Sequence, residues 1–180
     1  EVSGDDGDDL AHGNNGKDTV SGGDGQDDVR GGGGRDMLDG GAGDDTVAGG
    51  GGADTAAGGR GADLVTGGGR GDLLRGEGGF DTLLGGTGKD TLDGGAGDDL
   101  LTGGGGADLF VFDGTYGDDV VQDFDVARDL LRVAEIGNFR AFRDNAEQVG
   151  NDVVYTGEGG TITLLGVALE DLSRQNLDLS

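Results

Sequence analysis

Along residues 1–111 an apolar residue recurs once in every nine positions. The slot holds Ala11, Val20, Val29, Leu38, Val47, Ala56, Val65, Leu74, Leu83, Leu92, Leu101 and Phe110, with Val2 one step earlier. Between slots the chain is mostly glycine and polar residues. Each unit reads as a six-residue turn and a three-residue strand with its apolar side chain pointing inward. From Phe112 the rule changes. Glycine becomes sparse, and Phe112, Tyr116, Phe124, Phe139, Phe142 and Tyr155 appear. Strands are expected at Leu109–Phe112, Val120–Phe124 and Leu130–Val133, with a short helix from Phe139 to Gln148. Asp152–Thr156 and Thr161–Leu165 flank a Glu158-Gly159-Gly160 turn and read as a hairpin. Leu169–Arg174 reads as a further helical turn.

The unit is GGxGxDxUx, where U is apolar, and residues 22–30, GGDGQDDVR, fit every fixed position. Twelve frames tile residues 4–111 without insertion. Their sixth positions are Asp9, Asp18, Asp27, Asp36, Asp45, Asp54, Asp63, Asp72, Asp81, Asp90, Asp99 and Asp108. Two units make one turn of a flattened right-handed coil, so units of like parity stack on one edge. Asp9, Asp27, Asp45, Asp63, Asp81 and Asp99 share one edge; Asp18, Asp36, Asp54, Asp72, Asp90 and Asp108 share the other. Glu1, Val2 and Ser3 occupy positions 7 to 9 of a preceding unit, which points to a longer parent protein.

Composition changes the picture in one respect: this chain needs help to fold. Glycine supplies 46 of 180 residues, aromatics are 4%, and the formal net charge is −25. Low hydrophobicity with large net charge belongs to disordered chains. The acidic balance excludes nucleic acid and anionic membrane surfaces as partners and favours cations. Cysteine is absent, so no disulfide or thiolate site staples the chain. No apolar run approaches the roughly 18 residues of a membrane span, and no cleavable signal peptide opens the sequence.

The repeat supplies the missing staple. Glycine at positions 1 and 4 permits positive φ and lets backbone carbonyls crowd inward without a Cβ clash. Aspartate at position 6 brings a hard carboxylate to the same place. The carbonyls expected to join it are those of turn residues such as Gly23, Gly25, Gly32, Gly34, Gly41, Gly43, Gly50, Gly52, Gly59, Gly61, Gly86, Gly88, Gly95 and Gly97. Oxygen-only sites suit calcium; magnesium demands stricter octahedral geometry and keeps its waters. One cation between neighbouring turns sets a ceiling of about ten calcium ions. Residues 4–111 carry 22 acidic and 7 basic residues, a net of −15, so folding is expected to be linked to metal binding. Arg70 at position 4 and Glu77 and Phe80 in the next unit are expected to weaken the sites around Asp72 and Asp81. Asp5 and Asn14 replace position-2 glycines near Asp9, where fraying is expected.

These residues resemble the RTX nonapeptide array of calcium-dependent secreted bacterial proteins, whose repeat is this pattern. The region 107–180 resembles the cap that follows such arrays, in GADLFVF, GDDVVQDFD and NDVVYTGEGGTITLLGV. The resemblance implies an all-β chain: a right-handed parallel β-roll over 1–111 and a small, mainly β C-terminal cap with a secretion signal over 112–180. It further implies an extracellular location and type I export through an uncleaved C-terminal signal that would include Asn176 to Ser180.

Simpler readings stand beside this one. A flexible Gly-rich linker would not hold strict phase with a regular apolar slot. Asp113, Asp118, Asp119, Asp123 and Asp125 read as turn and surface acids ahead of an extension of the metal row. His12, the single histidine, reads as a surface residue, leaving a catalytic triad without raw material. Asp98-Asp99 belongs to the repeat before it belongs to a glycosidase pair. The expectation is a monomeric calcium-binding module without catalysis of its own, disordered without calcium and folding after export. The alternative is the C-terminal domain of a secreted enzyme (metalloprotease, lipase or polysaccharide-modifying type) or adhesin whose active part lies upstream.

Overall fold

The computed structural model describes residues 1–134 and 136–178. The chain winds as a parallel β-solenoid of about seven coils with almost no helix. Strands alternate between two sheets. One contains β1 (Val2–Asp6), β3 (Thr19–Asp24), β5 (Met37–Ala42), β7 (Thr55–Gly61), β9 (Leu73–Gly79), β11 (Thr91–Ala96), β13 (Leu109–Phe112) and β15 (Leu130–Val133), in that order. The other runs from β2 (Leu10–Gly16) through β4 (Asp28–Gly34), β6 (Thr46–Gly51), β8 (Leu64–Gly69), β10 (Thr82–Gly88) and β12 (Leu100–Gly106) to β14 (Gly117–Val121). Beyond β14 lie β18 (Gly160–Leu164), β17 (Asp152–Thr156) and β16 (Ala146–Val149).

Register carries the nine-residue period into space. Val2, Val20, Leu38, Ala56, Leu74, Leu92, Phe110 and Leu131 pair in succession down one sheet. Ala11, Val29, Val47, Val65, Leu83, Leu101 and Val121 do so down the other. The twelve apolar slots from Ala11 to Phe110 are all buried, and together they form the core. That core is thin, one side chain per nine residues.

The strands are longer than the three residues expected, because the glycine main chain goes on pairing with the coil beside it. Gly16 pairs with Gly34, Gly61 with Gly79 and Gly88 with Gly106, all at position 4. A glycine backbone carries the same donors and acceptors as any other, and the ladder uses them.

Past residue 111 both sheets continue and the core thickens. Phe110 and Phe124 lie 5.9 Å apart between ring centroids, Phe112 and Tyr116 meet edge-on at 5.5 Å, and Phe142 stacks on Tyr155 at 5.0 Å. The hairpin is present, β17 antiparallel to β18. The helix α1 is shorter than expected, Phe139–Asp144, with the Asn138 side chain accepting from the Ala141 N–H. Ala146–Val149 leaves it because pairing with β17 satisfies that backbone instead. The strand expected at Val120–Phe124 begins earlier, at Gly117. The last helical piece is a 3-10 turn at Arg174–Asn176 rather than at Leu169–Arg174. The tail then docks: Asn176 Nδ2 donates to the Val126 carbonyl, Leu177 bridges to Leu131, and Asp178 pairs with Arg132. Leu179 and Ser180, part of the expected export signal, lie outside the described residues.

Candidate metal centre

The aspartates stand in two rows as their parity dictates, and each row is bonded along its length. The Asp9 N–H donates to Asp27 Oδ1 at 2.8 Å, Asp27 to Asp45, Asp45 to Asp63, Asp63 to Asp81 and Asp81 to Asp99. On the other edge Asp18 donates to Asp36, Asp36 to Asp54, Asp54 to Asp72, Asp72 to Asp90 and Asp90 to Asp108, all at 2.8 to 2.9 Å. Asp27 to Asp108 are almost fully buried; Asp9 and Asp18, in the first coil, are half-buried. One oxygen of each of the ten carboxylates from Asp27 to Asp108 in these rows thus staples neighbouring coils.

The second oxygen has no such duty. Oδ2 of Asp9, Asp18, Asp27, Asp36, Asp45, Asp54, Asp63, Asp72, Asp81, Asp90 and Asp99 is buried without a hydrogen-bond partner. A buried unpaired ionised oxygen is costly. Burial accordingly raises the pKa of Asp45, Asp54, Asp63, Asp72, Asp81, Asp90 and Asp99, with repulsion from neighbouring acids adding to it. Asp45 and Asp72 are pushed up to about 6 and Asp81 to about 7.

Main-chain carbonyl oxygens crowd the turns between coils. A Cβ built on Gly41, Gly50, Gly59 or Gly95 would lie 2.1 to 2.3 Å from the position-2 carbonyl oxygen of the preceding coil. On Gly43, Gly52, Gly61, Gly88 or Gly97 it would lie 1.3 to 2.0 Å from the position-4 carbonyl. Gly23, Gly25, Gly32 and Gly34 meet the first coils in the same way. Glycine is required where one coil's carbonyls press on the next. Positive φ falls at positions 2 and 4, not at 1 and 4 as expected. Position 1 needs glycine for space alone: a Cβ on Gly22 would meet Asp27 Oδ2 at 2.3 Å and the Gly40 carbonyl at 2.5 Å.

Four residues break the glycine rule and mark its cost. Asp5, Asn14 and Glu77 hold position 2 at φ 75 to 77°, and Arg70 holds position 4 at 84°. The carboxylate row nonetheless passes Arg70 and Glu77 unbroken, through Asp54, Asp72, Asp90 and through Asp63, Asp81, Asp99. Adjacent glycines test this account. Gly50 has φ 99° and a carbonyl 2.3 Å from its virtual Cβ, whereas Gly51 meets nothing nearer than 3.9 Å and has no positive φ. Gly50→Ala should destabilise the folded chain by at least about 1–2 kcal/mol, the cost of the left-handed backbone before the carbonyl clash is added. Gly51→Ala should be neutral or add about 0.5 kcal/mol by stiffening the unfolded chain. Paired thermal melts at saturating calcium read the difference, and equal melting temperatures would discard the account.

Two ladder members escaped the nine-residue frame. Asp99 N–H donates to Asp119 Oδ1 at 2.8 Å, and Asp108 N–H to Asp129 Oδ1 at 3.0 Å. Both new acids are almost fully buried, so Asp119 is no surface acid. Their separations are 20 and 21 residues, outside the period of eighteen. The signal that finds them is local: Asp119-Val120-Val121 and Asp129-Leu130-Leu131 repeat the D-x-U of the unit.

Hard oxygens are present in quantity, and the chemistry of the donor set fits calcium. Among the described residues no three His, Cys, Asp or Glu side chains converge on one point. A cation here would therefore take paired carboxylates from neighbouring coils and main-chain carbonyls for the rest. Among those residues no helix is long and apolar enough to cross a membrane.

A family model for the RTX calcium-binding nonapeptide repeat (4 copies) matches residues 3–38, 30–65, 39–74, 66–101 and 75–110, more than half of the chain. No curated protein matches. Among solved structures, extracellular lipase LipA from Serratia marcescens is similar over 98% of this chain and 39% of its own, with 24% identity and a TM-score of 0.52. The chain thus spans about two fifths of that lipase. The AlgE6R3 subunit of the Azotobacter vinelandii mannuronan C5-epimerase is similar over 98% of this chain and 81% of its own, with 20% identity and a TM-score of 0.39.

Proposed function

The chain belongs to the RTX calcium-binding nonapeptide-repeat family, and from that premise we propose that it is a calcium-switched folding module of a secreted protein. The observation that carries this reading is the double row of buried carboxylate oxygens with no hydrogen-bond partner. Calcium would supply the positive charge and hard-acid coordination that these oxygens lack. The twelve aspartates of the array hold the ions, with position-2 and position-4 carbonyls completing each shell, up to about ten ions.

A mechanism follows from concentration. Extracellular modules bind calcium at roughly 10⁻⁴–10⁻³ M, far above cytosolic levels. Inside the cell the chain stays open and threadable; outside it closes. Docking of the tail supports export before folding, because a type I exporter reading this end would find Asn176 buried and Leu177 and Asp178 half-buried and paired in the folded molecule. Residues 112–180 act as the cap on which the coils form, since the thin core becomes aromatic only from Phe110 onward. The module carries no catalysis of its own. Its one histidine, His12, is exposed.

Equilibrium dialysis of the full chain should retain several calcium ions near millimolar calcium and no stoichiometric magnesium. A 1–111 fragment should bind calcium weakly and without cooperativity. A full chain that holds no calcium sinks the calcium reading; a fragment that folds as cooperatively as the whole removes the cap's role.

A further inference from the structure

We propose that Asp99 and Asp119 hold one further cation at the seam between the repeat array and residues 112–180. This rests on the calcium reading above but lies outside the nonapeptide motif, because Asp119 belongs to no repeat unit.

The geometry of the seam copies that of the array. Asp99 N–H donates to Asp119 Oδ1 at 2.8 Å, and Oδ2 of both residues is buried with no partner. Asp119 is 1% exposed. Gly117 takes the place of a position-4 glycine: its φ is 84°, and a Cβ there would lie 2.1 Å from the Gly97 carbonyl oxygen. Asp118 N–H donates to Asp98 Oδ1 at 2.9 Å, the same coil-to-coil contact that Asp8 accepts from Gln26 and Asp44 from Ala62. The row then stops. The residue paired with Asp119 on β18 is Ile162, which is fully buried and has no carboxylate to continue the row.

The other edge ends differently, and the contrast identifies the site. There Asp129 Oδ2 accepts from the Asp125 N–H at 2.8 Å, and Arg128 pairs with Asp125 at 2.7 Å beside it. That row closes on protein donors and a protein cation. The charges acting on Asp119 are Asp99, Asp98 and Asp118, all negative. One row is finished by the fold; the other is left for a metal.

The seam is also where an ion contributes most. Strand β12 pairs with β14 only through Leu100↔Val120 and Leu101↔Val121, whereas β10 and β12 pair from Thr82↔Leu100 to Gly88↔Gly106. A cation shared by Asp99 and Asp119 ties the first coil of the cap to the last coil of the array where main-chain pairing is thinnest.

The test compares bound calcium and calcium-induced β signal in the full chain, Asp119→Asn and Asp129→Asn. Asp119→Asn should lose one ion at saturation and need several-fold more calcium to fold. Asp129→Asn should keep the full ion count. Asp119→Asn with an unchanged count and midpoint overturns the inference while leaving the calcium reading intact; a wild-type chain without bound calcium defeats that reading first. Should Asp119→Asn not fold at any calcium level, anomalous scattering from calcium-grown crystals of the wild type decides. A peak between the two carboxylates supports the site, and peaks along the array with none there overturn it.

Discussion

Chelation of calcium at neutral pH should strip this chain of most of its β-structure, and millimolar calcium should restore it where magnesium does not. The expected size of the effect follows from the buried oxygens. Twelve carboxylate oxygens, eleven in the array and one on Asp119, are buried without partners. Each uncompensated buried charge costs several kcal/mol even after relaxation, while a domain is stable by only about 5–15 kcal/mol. Three or four unpaired carboxylates therefore exhaust the whole stability, and a formal net charge of −25 works in the same direction. One small apolar side chain per nine residues cannot offset this. Far-UV circular dichroism during a calcium titration reads the transition. A β spectrum that survives thorough chelation at pH 7.5 would mean that the roll stands without metal, and the switch would have to be abandoned.

Acid should partly replace calcium. The folded-state pKa values of Asp45 and Asp72, about 6, Asp81, about 7, and Asp119, about 8, lie above the usual carboxylate value, chiefly through burial. A raised folded pKa means that the folded state binds more protons than the unfolded chain. The stability these groups contribute is complete below the unfolded value near 4 and is lost as pH rises through about 6 to 8. Chelated protein taken from pH 8 to pH 5 should thus gain β signal, while calcium-loaded protein over the same window should lose affinity because protons compete for the same oxygens. The lower limit of pH 5 keeps the chain above its pI of about 4.1. A chelated chain that stays unstructured throughout would show that carboxylate charge is not what opens the roll.

Periodicity made the array legible and hid its end. Every aspartate from Asp9 to Asp108 could be placed on its edge from spacing alone, because parallel coils of constant length turn a sequence period into a spatial row. Asp119 and Asp129 could not, because the loops before β14 and β15 add two residues and one, which break the count while preserving the hydrogen bond. The reason for glycine at position 1 was also out of reach. Sequence shows that a side chain is absent there; only packing shows that Asp27 Oδ2 fills the space beside Gly22. The helix expected through Gln148 ended early because Ala146–Val149 found a strand partner, a long-range choice that local propensity does not see.

The alternation of strands between the two sheets has a consequence for how such a molecule can grow or shrink. Removing one nine-residue unit would leave every later aspartate in frame with its neighbours in sequence, yet would transfer all of them to the opposite edge and every later strand to the opposite sheet. The seam, whose two edges end in different chemistry, would then meet the wrong row on each side. Length can change without reassigning the ends only in steps of eighteen residues, so the heritable quantum of this architecture is the pair of repeats, and a lone duplication of the visible motif is a frameshift in space.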